Sequence, residues 1–185
     1  MELLRTSRLV LRSWGEEDAP AFLDIYSRYE VIRWLGPQPR RVTVTTLESA
    51  LERIRYREER ISGLTAPMGL WAIVPAGGER DEPIGTILLM PLDDDDDGPT
   101  GLIEVGWHLH PDHQGRGYAT EAAGAVLDAA PATGIDEALA LTDLDNERSQ
   151  RVALRLGMTD EGVTDRWYGL PQRQYRKQLL VAHAP

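Results

Sequence analysis

Gln114-Gly115-Arg116-Gly117-Tyr118-Ala119 is the stretch of this sequence best suited to hold an anion. Its two glycines permit a backbone with φ > 0 and the close approach of a ligand. The residues from Gly117 on read as helix, and the amides of a first helical turn have no partner within the helix. With the helix dipole they form an anion site, to which Arg116 adds a charge. A pyrophosphate would suit such a cradle. A Walker A loop would end in Gly-Lys-Ser/Thr, and no Lys lies here. The dinucleotide fingerprint needs three spaced glycines on a first βα turn, whereas this loop follows the fourth predicted strand. A plain helix start with two turn glycines fits the same residues equally well.

Other reactive clusters are weaker. His108, His110 and His113 stand close together, but no acidic or fourth ligand is fixed beside them for zinc. We expect them to line a ligand groove or face solvent, with no bound metal. Asp93 to Asp97 are five like charges in a row. They repel and stay solvated, so we expect an acidic hairpin loop over Leu92–Gly101; a calcium cage needs ligands spaced around a turn. The chain has no Cys and no Gly-x-Ser-x-Gly elbow, so neither can form an acyl-enzyme. Trp34, Trp71, Trp107 and Trp167 suit a core, and an aromatic pocket can also hold a cation.

The elements that must position these residues are legible from periodicity. Arg8–Ser13 alternates weakly as a first strand. In Glu17–Arg28, Ala19, Phe22, Leu23 and Tyr26 fall on one helical face. Thr45 and Glu48 suit a capping box for a helix to about Arg60. Leu70–Val74 and Ile84–Met90 read as strands joined by a turn at Gly77–Gly78, and Leu102–His110 as a third. Gly117–Ala130 is a helix with a stripe of Ala119, Ala122, Ala123, Val126, Leu127 and Ala130. Ala138–Thr142 is a strand. Asn146–Leu156 is a helix with Asn146 as its cap and Gly157 past its end. Met158–Thr164 and Gln174–Val181 close the chain as strands. The pattern is a mixed α/β domain of about seven strands and four helices, a single unit over residues 1–185.

Composition narrows the partners. The 185 residues hold 30 Asp plus Glu against 20 Lys plus Arg, a formal charge of −10. An acidic chain is a poor general binder of nucleic acid and more readily attracts cations such as amines. No apolar run approaches the ~18 residues of a membrane span, so no membrane association is expected. Met1–Arg12 lacks a signal-peptide core, and the lack of Cys suits a reducing compartment; we expect a cytoplasmic protein.

The anion loop carries a resemblance. Gln114, Gly117 and Ala119 match the Gln/Arg-x-x-Gly-x-Gly/Ala signature of the GNAT N-acetyltransferases, between the expected strand and helix. The chain further resembles the branch of the ribosomal-protein N-terminal acetyltransferases of the Rim type. Thr6-Ser7-Arg8-Leu9-Val10-Leu11-Arg12 looks like its opening strand and Glu104-Val105-Gly106-Trp107 like its fourth. Tyr118-Ala119-Thr120-Glu121-Ala122 continues the loop in its manner. Asn146-x-x-Ser149, then Leu156-Gly157-Met158, looks like its fourth-helix motif. The likeness runs from about Thr6 to Leu180.

That resemblance implies an acyl-CoA N-acyltransferase fold, its sheet splayed between the fourth and fifth strands, with acetyl-coenzyme A as co-substrate in the gap. The backbone of Trp107, His108 and Leu109 would pair with the pantetheine arm. The amides of Gln114, Gly115, Arg116, Gly117, Tyr118, Ala119 and Thr120 would hold the pyrophosphate, and Asn146 would bond near the thiol. Acetyl would pass directly from sulfur to an amine. Glu104 is the implied base, acting through water, with an exposed strand Glu or a salt-bridge partner as the alternative. Ser149 is the implied donor to the departing thiolate, with Tyr168 and Tyr175 as fallbacks and a packing role for Ser149 as the alternative. Trp34 and Trp167 lie where this family builds its acceptor pocket. The Rim enzymes carry an acidic residue in a late loop; Trp167–Tyr175 here has none. A homodimer is compatible with this kind of fold.

Overall fold

Alternation decides which way the strands face. In the computed structural model, which describes residues 1–36, 43–77, 81–94 and 98–179, β1 (Glu2–Arg5), β2 (Leu9–Ser13), β3 (Gly69–Pro75), β4 (Gly85–Asp94) and β5 (Gly98–Leu109) run as an antiparallel meander. β6 (Glu137–Asp143) joins β5 in parallel; β8 (Gln172–Gln178) and β7 (Thr159–Thr164) complete an eight-stranded sheet in the order β1-β2-β3-β4-β5-β6-β8-β7. Leu9, Leu11, Trp71, Ile73, Ile87 and Leu89 point to one face. Val74 and Ala72 point to the other.

Each face has its own helices. The first is covered by α4 (Tyr118–Ala129), whose Ala122, Ala123, Val126 and Leu127 are buried. Small side chains let that helix lie close to the sheet. The second is covered by α1 (Ala19–Tyr26) and α3 (Leu47–Ile61), through Phe22, Ile25, Tyr26, Ala50 and Ile54. α2 (Tyr29–Ile32) is a single turn between them, and α5 (Glu147–Arg155) precedes β7.

The mixed sheet agrees with the sequence, with corrections in detail. Among the described residues there are eight strands and five α-helices, not about seven and four. The extra strand β1 is an edge strand with no inside–outside alternation. The first helix is split: Glu16–Asp18 forms a 3₁₀ turn, locked because Asp18 accepts from Arg12 Nη1 and Nη2 at 2.6 and 2.8 Å and from the Gly15 amide at 2.8 Å. The cap of α3 is Thr46 with Ser49, one residue later than expected, because Thr46 Oγ1 accepts from the Ser49 amide at 3.1 Å; Ser49 Oγ in turn accepts from the Thr45 and Thr46 amides, both at 3.0 Å. The expected loop after Leu92 continues as ladder to Asp94 opposite Gly98. Asp95–Asp97 and Gly78 lie outside the described residues, as does the end of the last expected strand. No helix among the described residues is long and apolar enough to cross a membrane.

The feature that makes room for chemistry is the seam between β5 and β6. A single register pair, Glu104 with Leu139, joins them. β5 continues five residues beyond it, still paired to β4 as far as Leu109 with Gly85. From Val105 to Leu109 the backbone edge facing away from β4 therefore fronts a gap, where the resemblance placed it.

Candidate active site

The anion loop is built as its sequence implies. Gly115 (φ 77°) and Gly117 (φ 81°) both take the left-handed conformation, and Gly117 is the N-cap of α4. A Cβ on Gly115 would meet nothing within 4 Å, so backbone conformation and not crowding selects glycine there. Tyr118, Ala119 and Thr120 present the first-turn amides of a 12-residue helix. Gln114 fixes the loop through its side chain. Its Nε2 donates to the Leu109 carbonyl at 3.1 Å and its Oε1 accepts from Arg148 Nη1 at 2.9 Å. Arg148 belongs to the first turn of α5, so Asn146 and Ser149 are carried to the same neighbourhood.

Sequence reasoning missed how the opening motif meets the loop. Arg8 Nε donates to Glu121 Oε2 at 2.6 Å, its Nη1 donates to the Arg116 carbonyl at 3.0 Å, and its guanidinium lies over the Tyr118 ring. Thr6 Oγ1 and the Arg8 amide donate to Glu121 Oε1 at 2.5 and 3.0 Å. Burial opposes ionisation of Glu121, but these bonds outweigh it and hold its carboxyl below the ordinary value. The two stretches quoted above as separate signatures are thus one bonded unit. The signal available was an acid in the first turn of a helix, which the dipole favours.

Glu104 stands at the fork of the sheet, opposite Met90 on β4 and Leu139 on β6. The residue is half-buried, and its carboxylate Oε2 accepts a short hydrogen bond from Tyr168 Oη. Burial raises its pKa from an ordinary 4.5 to about 7; the Tyr168 bond and the charge of Arg60 on α3 pull the other way. A carboxyl with pKa near 7 suits a general base at neutral pH. Tyr168 arrives from the β7–β8 connection, where it and Gly169 take φ of 58° and 64° and Leu170 N–H donates to the Trp167 carbonyl at 3.4 Å.

The remaining residues fall out differently. Asn146 caps α5: its Oδ1 accepts from the Ser149 amide at 3.2 Å. Ser149 is half-buried, and no hydrogen bond of its hydroxyl is found among the described residues. No hydrogen bond there joins Asn146 or Ser149 to Glu104. Tyr175 is fully buried in the main core, which removes it as a fallback donor. Trp167 is also core, packed with Leu92 and Leu139 and donating from Nε1 to Gln174 Oε1 at 2.8 Å. It cannot wall an acceptor pocket. Trp34 is half-buried with the Arg33 guanidinium over its ring.

Two of the three histidines depart from the expectation that they line a groove or face solvent, whereas His113 is part-exposed. His108 points to the α1 and α3 face, where its Nε2 lies 2.5 Å from Tyr26 Oη. That oxygen also meets Thr86 Oγ1 at 2.7 Å and accepts from Arg57 Nη1 at 2.6 Å. Burial first, then the Arg57 charge, lowers the His108 pKa to about 3, so it stays neutral and is no base. Only its backbone is available to a ligand in the gap. His110 is buried, its Nδ1 accepting from the Asp112 amide at 3.2 Å. No group of three His, Asp or Glu able to hold a metal occurs among the described residues. The Tyr26–Arg57–His108 set had no local signal, since its members are 31 to 82 residues apart.

Comparison with known proteins bears on the family and the fold. Residues 8–159 match the family model of the acetyltransferase (GNAT) domain. The uncharacterized N-acetyltransferase YoaA of Bacillus subtilis is 30% identical over 167 residues, 87% of this chain and 85% of that protein. Among solved structures, an acetyltransferase from Agrobacterium tumefaciens superposes with a TM-score of 0.71 at 27% identity, covering 96% of this chain and 95% of that one. RimL, a ribosomal L7/L12 alpha-N-protein acetyltransferase in complex with coenzyme A, superposes at 0.76 with 18% identity, covering 98% and 99%.

Proposed function

This chain belongs to the GNAT acetyltransferase family, and on that premise we propose that it transfers acetyl from acetyl-coenzyme A directly to a primary amine, with Glu104 as general base. The observation that carries the reading is the Glu104 carboxyl, set where the sheet forks and poised to titrate near pH 7. Acetyl-coenzyme A, when bound, supplies the activated thioester. The residues present fit it. First-turn amides at Tyr118–Thr120 and two left-handed glycines suit a pyrophosphate, with Arg8 and Arg116 adjacent. The open edge of Val105–Leu109 suits an extended amide-bearing arm.

The roles follow from the positions. Glu104 takes a proton from the incoming ammonium, directly or through one water. An α-ammonium has pKa ~7.7–8.0 and a lysine-like one ~10.4. From a base near 7 the first transfer is uphill by about 1.0–1.4 kcal/mol and the second by roughly 4–5 kcal/mol. That favours a peptide N-terminus or another amine of low basicity. A backbone N–H at Trp107 or His108 faces the developing oxyanion. Ser149 is the donor to the departing thiolate, since the Tyr168 hydroxyl is engaged with Glu104. The charge of −10 favours a cationic acceptor at long range.

Mass spectrometry of an amine pool incubated with acetyl-coenzyme A tests this, the pool holding N-terminal peptides, polyamines, aminoglycosides and amino acids. One acceptor should gain a single acetyl group, and Glu104→Gln should slow the gain about 10²–10⁴-fold. Undiminished turnover in Glu104→Gln would remove it as the base. Calorimetric binding of acetyl-coenzyme A with no product from any amine would point to a sensor of the same fold.

A further inference from the structure

We infer that Tyr168 is a positioning residue for Glu104: its phenol O–H aims and stabilises the ionised carboxylate, and the turn that carries it is held in an unfavourable conformation to put it there. The inference rests on Glu104 being the base. It departs from the role the resemblance gave Tyr168, a donor to the thiolate.

Three observations carry it. The first is the hydrogen bond, which spans 64 residues of sequence and joins the β7–β8 connection to the fork of the sheet. The second is the backbone. Among the described residues Tyr168 is the one non-glycine with positive φ, and Gly169 follows it in the same region. Consecutive positive φ values are those of a type I′ turn, whose first position ordinarily takes Asn, Asp or Gly. A large aromatic residue adopts this conformation rarely. Solvated turn chemistry would choose Asn-Gly here; Tyr-Gly gives a worse turn and a phenol at Glu104. The third is packing. The Tyr168 ring joins the cluster of Leu92, Leu139 and Trp167, and Trp167 is tied by its indole N–H to Gln174. The ring is therefore held from the side while its hydroxyl is held by the carboxylate.

The surroundings of Glu104 leave this bond as its main polar support. From the turn it meets the Tyr168 phenol, and from α3 it feels the Arg60 guanidinium. Its register partners on β4 and β6, Met90 and Leu139, carry no charge. Farther along the same face of β5 the next polar side chain is His108, kept neutral beside Tyr26 and Arg57. When Glu104 is ionised, Tyr168 donates to it. When Glu104 has taken the ammonium proton, the donor and acceptor exchange, the carboxylic O–H bonding back to the phenol oxygen. No net proton leaves Tyr168.

The test is Tyr168→Phe, which keeps the ring, its packing and the same backbone conformation. The Glu104 carboxyl is titrated by carbon NMR of protein labelled at glutamate side chains, assigned by its loss in Glu104→Gln. This reading needs no acceptor. We expect the titration midpoint to move to higher pH by about one pH unit, because the bond favours the charged form. The acid limb of kcat/KM should move with it, while the thermal midpoint of Tyr168→Phe stays within a few degrees of wild type. An unmoved midpoint in a folded Tyr168→Phe protein overturns the inference. A uniform loss of kcat with the acid limb in place would return Tyr168 to the thiolate. If the midpoint moves but Glu104→Gln retains full activity, the bond is real and the base reading has failed.

Discussion

As the proposed base, the Glu104 carboxyl works against the fold that holds it. Glu104 titrates near 7 in the folded chain and near 4.5 when unfolded. The folded state therefore binds the extra proton between those values. Its contribution is fully present below pH 4.5 and is lost as pH rises through 7. Activity runs the other way, since the base must be ionised. Glu104→Gln should accordingly be more stable than wild type at pH 8, by about 3 kcal/mol or on the order of 6–12 °C, and the difference should vanish below pH 4.5. Paired thermal melts at the two pH values check this; equal midpoints at pH 8 would mean that the carboxyl is well solvated. The sequence showed Glu104 on its strand but not its environment. Burial raises the pKa, and Tyr168 and Arg60 moderate it; all three are brought in by other elements, and neither spacing nor periodicity points to them.

At the scale of elements, the glycine turn that opens α4 was legible because everything it needs is consecutive. Two glycines, a helix start and a small-residue stripe lie within sixteen residues of chain. The loop's brace was not, because Arg8 reaches it from across the sheet. Caps and edges were read less well for a related reason. Thr45 and Thr46 are both good caps, and only the Ser49 amide donating to Thr46 Oγ1 decides between them. β1 has no buried face to impose alternation. The brace has a measurable counterpart in Gly117. A Cβ there would sit 3.4 Å from Arg8 Nη2, on a backbone with φ 81°. Gly117→Ala should cost about 1 kcal/mol of stability and raise the KM for acetyl-coenzyme A roughly tenfold, with kcat little changed. Steady-state kinetics with acetyl-coenzyme A varied would decide; an unchanged KM would place the anion elsewhere.

At the scale of the molecule, charge and architecture do separate work. The excess of ten negative charges reaches beyond any one contact but is screened within about 10 Å at 0.1 M salt. For a cationic acceptor, kcat/KM should fall severalfold as ionic strength rises from about 0.05 to about 0.5 M, and for a neutral acceptor it should hold. Stopped-time assays across that range distinguish the two, and a flat profile with a polycation would leave local contacts in charge of selection. The fold class was readable at this scale because α/β order and the loop agree. The layer assignment was not. Which face each helix covers depends on the sheet's register, and that emerges only from long-range pairing.

The seam between β5 and β6 also bears on inheritance. Where a binding groove is an unfinished ladder, the donors and acceptors that greet a ligand are peptide groups, and every amino acid brings the same ones. Substitution can rewrite the side chains on both flanks without erasing the script for an extended amide. What must persist is geometry: one pairing at Glu104, then divergence. A lineage built this way can keep its donor molecule while exchanging nearly all its letters. Novelty is left to the connection that carries Tyr168 and to the helices over the other face.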